Sequence, residues 1–270
     1  EIALHVEAAF QNKLLVGKRV LITAGPTFER IDAVRGITNP SSGKMGYAIA
    51  RAAWEAGAEV VLVSGQTSQT PPPGCRRIDV VSAQDMLNAV NAEVDASDIF
   101  ISVAAVADYY VLNQSEQKIK KDAHVLTLEL APNPDILANV TSRPNPPFCV
   151  GFAAESENLL EYAEAKRRRK KLPLLAANLV QNAIGADDNE IILLDDDGEH
   201  RLRQAITGQP HDLEREGAGE LEQSVLRRSL VRHSSRRRRG RRGSRRRPCA
   251  ASAQPGRPCP RRRPCRPACR

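Results

Sequence analysis

Two hydrophobic periods alternate along the chain from residue 18 to about residue 180. Residues 18–23 (KRVLIT) are a short apolar run ending at the breaker Ala24-Gly25-Pro26, the pattern of a strand. After a polar loop, residues 43–57 carry Met45, Ala48, Ile49, Ala52 and Ala53 at helical spacing, and Gly57 closes the helix. Residues 58–64 (AEVVLVS) are apolar almost throughout, as expected of a strand covered on both faces. The alternation then predicts a strand at 77–81, a helix at 83–94 and a second fully buried strand at 98–105 (DIFISVAA). It continues with a strand at 126–130, a helix at 134–140, a strand at 148–152, a helix at 159–171 and a strand at 174–177. A hairpin at 190–202 turns on Asp197-Gly198. This order implies a Rossmann-like, doubly wound α/β fold: a mostly parallel sheet with helices on both faces and right-handed crossovers. Ligands in such sheets sit at the carboxyl ends of the strands, which points to the loops at 24–42, 105–121, 131–134 and 153–158.

Charge and composition divide the chain. Residues 1–202 hold 20 Lys and Arg against 27 Asp and Glu; residues 203–270 hold 20 Arg, no Lys and 5 acids. The net charge of +8 therefore averages an acidic domain and a basic tail. Past Leu202 the apolar periodicity weakens, and after Leu230 the chain is Arg, Pro, Ser, Ala, Gly and Cys, which cannot bury a core. One reading is a nucleic-acid arm acting by counterion release. The other, favoured by the missing Lys and abundant Pro and Cys, is a GC-rich coding region translated out of frame. Residues 1–16 read as a helix or linker from a preceding domain, since the chain starts at Glu1, and residues 17–202 as the folded unit. Cys75 and Cys149 alone serve that unit, which fits a reduced cytoplasmic domain. The cysteines of the tail lack zinc-site spacing, and no apolar run approaches the ~18 residues of a membrane span.

Chemistry concentrates at residues 39–46, N-P-S-S-G-K-M-G. The order matches neither the P-loop nor the dinucleotide fingerprint. Ser41, Ser42 and Gly43 stand where a helix begins. That is an anion site if the first amides stay open, and an ordinary serine N-cap if they do not.

Taken together, T-A-G-P-T-x-E-x-x-D (23–32), V-R, N-x-S-S-G-K-M-G, A-A-V-A-D-Y (104–109), K-I-K-K (118–121), N-P-D-I-L (133–137), G-F-A-A-E (151–155) and K-R-R-R-K (166–170) closely resemble the phosphopantothenoylcysteine synthetase family. The resemblance spans roughly residues 15–202. In bacteria this domain usually follows a flavin-dependent decarboxylase in one bifunctional protein, so no flavin is expected in this portion. The resemblance implies CTP-dependent ligation of 4′-phosphopantothenate with L-cysteine through an acyl-cytidylate, with Mg²⁺, in a homodimer.

It also implies roles. Asn39 would hold the acyl group or its oxyanion. Ser41, Ser42, Gly43 and Lys44 would cradle phosphates, and Ala104 and Ala105 would let a ligand approach the backbone. Asp108 would face the nucleotide through Mg²⁺, and Lys118, in a loop over the site, would follow the charge on the phosphates. Pro134, Asp135, Ile136 and Leu137 would lie beside the nucleotide, Phe152 would pack on its base, and Lys166 and Lys170 would meet the triphosphate. Three positions depart from the pattern: Ala33 for the usual Pro, Gly36 for a common aromatic, and Pro40 for a basic residue or His. The family's closing helix after the hairpin has no counterpart beyond Leu202. A nicotinamide-dependent reductase is the rival on the same fold, but A-G-P-T stands where G-x-G-x-x-G is needed.

Overall fold

In the computed structural model, the residues described are 2–9, 11–121, 125–155, 157–179 and 188–205. The readings of the basic tail beyond Ala205 lie outside them. Among the described residues, eight strands form the main sheet: β1 (Arg19–Ala24), β4 (Glu59–Ser64), β5 (Arg76–Asp79), β6 (Ile99–Ser102), β9 (Phe148–Glu155), β10 (Leu174–Leu179), β11 (Asp188–Asp195) and β12 (Gly198–Ala205). Their order is β12-β11-β10-β9-β6-β1-β4-β5. The pairs from β10 to β5 are parallel, while β11 and β12 close the edge as an antiparallel hairpin turning at Asp196-Asp197.

Alternate residues of each strand feed two cores, as a two-residue period requires. Val20, Ile22, Val60, Leu62, Ile99 and Ile101 join the core under α2 (Lys44–Glu55). Leu21, Val61, Val63 and Phe100 face the other way, onto α3 (Ala83–Glu93), α4 (Ile136–Thr141) and α5 (Leu159–Arg169). Each such aliphatic side chain contributes about 1.5–3 kcal/mol on burial, which makes the continuous apolar strands the centre of the fold. Helix α1 (Ile2–Ala9) lies on α2, with the His5 ring edge-on to Trp54 and Lys13 Nζ bonded to the carbonyls of Ala8 and Glu55.

Two short hairpins stand outside the main sheet. The expected polar loop at 24–42 contains β2 (Phe28–Arg30) paired with β3 (Gly36–Thr38). The expected strand at 126–130 is displaced: pairing joins β7 (Tyr109–Val111) to β8 (Leu130–Pro132), because the partner offers only three residues. Gly36 is covered by the Phe28 ring, which lies 2.3 Å from where a Cβ would stand. Among the described residues, no helix is long and apolar enough to cross a membrane.

Candidate active site

The direction of winding reverses between β1 and its neighbours β4 and β6, and the loops following β1 and β6 meet there. The strand expected to reach Ala105 stops at Ser102, because threonine hydroxyls take over the bonding. Thr23 Oγ1 accepts from the amides of Val103 (3.2 Å) and Ala104 (3.3 Å). Ala105 N donates to the Gly25 carbonyl at 2.9 Å, Thr27 N donates to that of Ala105 at 3.2 Å, and Thr27 Oγ1 accepts from Ala107 N at 2.9 Å. Asn39 is docked on the same seam: its Nδ2 donates to the Ala105 carbonyl at 3.1 Å, while Thr38 Oγ1 bonds the Thr27 carbonyl at 2.8 Å.

Between Asn39 and α2 the chain passes half-buried Ser41 and exposed Ser42. The helix cap is Gly43, not a serine, at φ 76° in the left-handed region, and it offers no side-chain bond to the first amides. The serine hydroxyls reach only the amides of Gly43 and Lys44, each at 3.4 Å. A Cβ on Gly46 would stand 2.5 Å from that of Ala24, so glycine lets the helix start press against the end of β1. Lys44 is exposed.

Beside the seam lies a cleft of about 480 Å³. It collects Ala104, Asp108, Pro134, Asp135, Ile136, Leu137, Phe152, Lys166 and Lys170, from four separate loops and elements. The expected helix start at Pro134 moves to Ile136, since Asp135 caps α4 by accepting from Ala138 N at 2.9 Å. Lys170 Nζ pairs with the Asp135 carboxylate at 2.7 Å, and Lys166 Nζ donates to the Phe152 carbonyl at 3.0 Å. Burial pushes the Asp135 carboxyl upward, but Lys170, the Ala138 amide and Lys166 outweigh it and hold the group below its ordinary range. Asp108 is exposed at the cleft.

Asn39, Ser41, Ser42, Gly43, Lys44, Ala105 and Lys118 lie outside the lining of this cleft. A second cleft of about 600 Å³, between Phe28, Ser82 and Tyr110, shares Pro132–Pro134 with the first and also takes in Glu29 of the first motif. Sequence reading also left four motif residues without a role. Thr23 and Thr27 stitch the seam. Glu29, buried, accepts from Ala83 N at 2.8 Å and so anchors the start of α3. Asp32, also buried, bonds Arg35 and the main chain of the 115–121 loop. Only the motif itself marked them, because each acts across a long sequence separation.

For a divalent cation the donor set is sparse: no group of three or more His, Cys, Asp or Glu occurs among the described residues. One exposed carboxylate, Asp108, suits Mg²⁺, which keeps its waters and takes most of its remaining oxygens from substrate phosphates. The groups present fit that mode.

Fold and cleft together define a class, a Rossmann-like α/β domain with a cleft beside the carboxyl end of β6. Within that class, the chain belongs to the family of the DNA/pantothenate metabolism flavoprotein C-terminal domain, which matches residues 15–208. It is 50% identical over 208 residues to the coenzyme A biosynthesis bifunctional protein CoaBC of Vibrio cholerae, covering 75% of this chain and 52% of that protein. The Escherichia coli K12 protein of the same name is 47% identical over 200 residues, covering 70% and 49%. This chain thus spans about half the length of these relatives. Among solved structures, the C-terminal domain of a CoaBC protein superposes with a TM-score of 0.66 at 37% identity, over 83% of this chain and all of that one. A Cab2 mutant in complex with phosphopantothenate-cysteine superposes at 0.68 with 17% identity, over 88% and 92%, which speaks to the fold alone.

Proposed function

We propose that this domain is a phosphopantothenate–cysteine ligase of coenzyme A biosynthesis, using CTP to activate the acid. One observation carries the reading: Asn39 is hydrogen-bonded to Ala105, in the same short segment whose Ala104 and Asp108 line the cleft. An amide suited to an acyl group and a cleft suited to a nucleotide therefore share one piece of backbone. The relatives named for coenzyme A biosynthesis support the same chemistry.

In the first half-reaction a carboxylate oxygen of 4′-phosphopantothenate attacks the α-phosphorus of CTP. The bond to the β-phosphate oxygen breaks, and pyrophosphate leaves. In the second, the cysteine amine attacks the acyl carbon, the acyl–phosphate bond breaks, CMP leaves and the nitrogen gives up a proton. Ser41, Ser42 and the first amides of α2, whose bonds to the serine hydroxyls are long, offer neutral donors to phosphate oxygens, and Lys44 adds a cation. Phe152, which lines the cleft, packs on the base, and Lys166 and Lys170 exchange their present partners for the triphosphate. The Asn39 amide is a fixed donor for the oxyanion of the second step. Lys118 follows the charge that develops on the phosphates. Asp108 is the residue that would hold Mg²⁺, which would supply charge neutralisation on the phosphates. A homodimer is supported by the exposed Val34, Tyr109, Leu112 and Leu130 on the two projecting hairpins.

The test is CTP-dependent pyrophosphate release that requires 4′-phosphopantothenate. No release with CTP or ATP overturns the proposal. Asn39→Ala is expected to release pyrophosphate and to accumulate the acyl-cytidylate; loss of the first step instead refutes its role.

A further inference from the structure

The turn joining β2 to β3 is built around Asp32. Its Oδ1 accepts from the amides of Val34 and Arg35, both at 2.9 Å. Its Oδ2 accepts from Arg35 Nε at 2.9 Å and from Arg35 Nη2. The same oxygen accepts from the amide of Ile119 at 3.1 Å, 87 residues away. Arg35 Nη2 closes the pair by donating to the Ile119 carbonyl at 2.8 Å. Both main-chain polar groups of Ile119 are thus held by one carboxylate–guanidinium pair. The loop is fixed a second time, where Ser115 N donates to the Ile31 carbonyl at 3.0 Å. Lys118, exposed, stands between these two attachments and directly precedes Ile119.

We propose that Asp32 is a positioning residue: with Arg35 it clamps Ile119 to the β2–β3 turn and thereby sets where the Lys118 ammonium stands. This rests on the role given to Lys118 in the ligase reaction above. An exposed lysine on a loose loop loses entropy each time it is used; fixing both main-chain polar groups of the adjacent residue removes most of that cost before substrate arrives. The carboxylate is the hub because one group accepts from the turn's own amides, from Arg35 and from the distant loop. Burial excludes water from competing for it. The Arg35 guanidinium lowers the Asp32 pKa far below the ordinary carboxylate range, with the amides of Val34, Ile119 and Arg35 adding to it, so the clamp stays charged at any working pH.

The experiment uses the full chain and two readouts. Asp32→Asn keeps the shape but halves the acceptor capacity. It should speed amide exchange at Ile119 by about tenfold or more while the central strands stay protected. It should also lower kcat for pyrophosphate release by about tenfold to a hundredfold, with the KM for CTP little changed. In a Lys118→Gln background, Asp32→Asn should cost almost nothing further, since the residue it positions is gone. Should Asp32→Asn unfold, Ile119→Pro removes the clamped N–H and leaves the turn intact, and the same non-additivity is expected. Unchanged exchange at Ile119, or losses that add in full with Lys118→Gln, overturn the clamp. If the wild-type chain releases no pyrophosphate, the ligase reading fails, and exchange at Ile119 still decides the contact separately.

Discussion

Replacing Thr27 by Val tests the seam that joins the two halves of the site. The residue is fully buried, Ala107 is 4% exposed, and the bond from Ala107 N to Thr27 Oγ1 is 2.9 Å. Valine has the same shape and no acceptor, so the Ala107 amide loses its partner where water does not reach. An orphaned buried donor costs about 1–3 kcal/mol, and relief from burying a hydroxyl returns part of it, leaving a net loss of about 1–2 kcal/mol. With a urea m-value of about 2 kcal/mol/M, the unfolding midpoint falls by roughly 0.5–1 M. Amide exchange resolves the cause: Ala107 should lose protection in Thr27→Val and keep it in Thr27→Ser, which retains the hydroxyl. Because Asp108 follows immediately, Thr27→Val should also slow pyrophosphate release more than Thr27→Ser does. A Thr27→Val protein with the wild-type midpoint and a protected Ala107 amide would refute the reasoning.

Two further outcomes follow from groups away from the site. The Arg167 guanidinium, joined by Arg168 against the opposing effect of burial, brings the Glu164 carboxyl from 4.5 down to about 2. A folded-state pKa below the unfolded one stabilises fully above pH 4.5, and that stability disappears as pH falls toward 2. Glu164→Gln should therefore be less stable than wild type by about 1 kcal/mol at pH 6, with the difference shrinking by pH 3 in urea titrations. A pH-independent difference would sink the assignment. Burial raises the Cys75 thiol to about 11, so peptide-resolved alkylation at pH 8 should find it slow. Modification of Cys75 at the rate of a free thiol would contradict the effect of its partial burial.

The main sheet was legible because its strands are apolar on both faces, and that signal is local. Residues 18–23 and 58–64 are read as strands without knowing their partners, and each lies within one residue of the observed element. The hairpin strands β2, β3, β7 and β8 have three residues each, too few to carry a period. The run V-L-T-L-E-L at 125–130 illustrates the limit. It alternates like a strand, yet exposed Val125 and Leu126 find no ladder partner among the described residues, because Tyr109–Val111 is too short to reach them. Strand β9 errs the other way, running on to Glu155 because β10 pairs with it through Leu179.

The candidate site was legible as a set of motifs and illegible as a geometry, for a related reason. Asn39, Ser41 and Lys44 fall in one octapeptide, yet the structure divides their duties by what each end is tied to. At one end, Thr38 and Asn39 bond to the Thr27 and Ala105 carbonyls, so the asparagine is fixed to the seam. At the other, Gly43 and Gly46 press α2 against Gly25, Thr67 and Ala24, so the helix start is fixed to the end of β1. Between these anchors only three residues remain, and the two serines make only long bonds within it. A phosphate loop that begins with glycines could wrap an anion, but it could not also carry a side chain to Ala105. Placing the asparagine before the serines and the glycine after them lets one loop serve the seam and the helix start together. The departure from both familiar fingerprints thus has a geometric cause, and that cause lies in bonds reaching 66 residues along the chain.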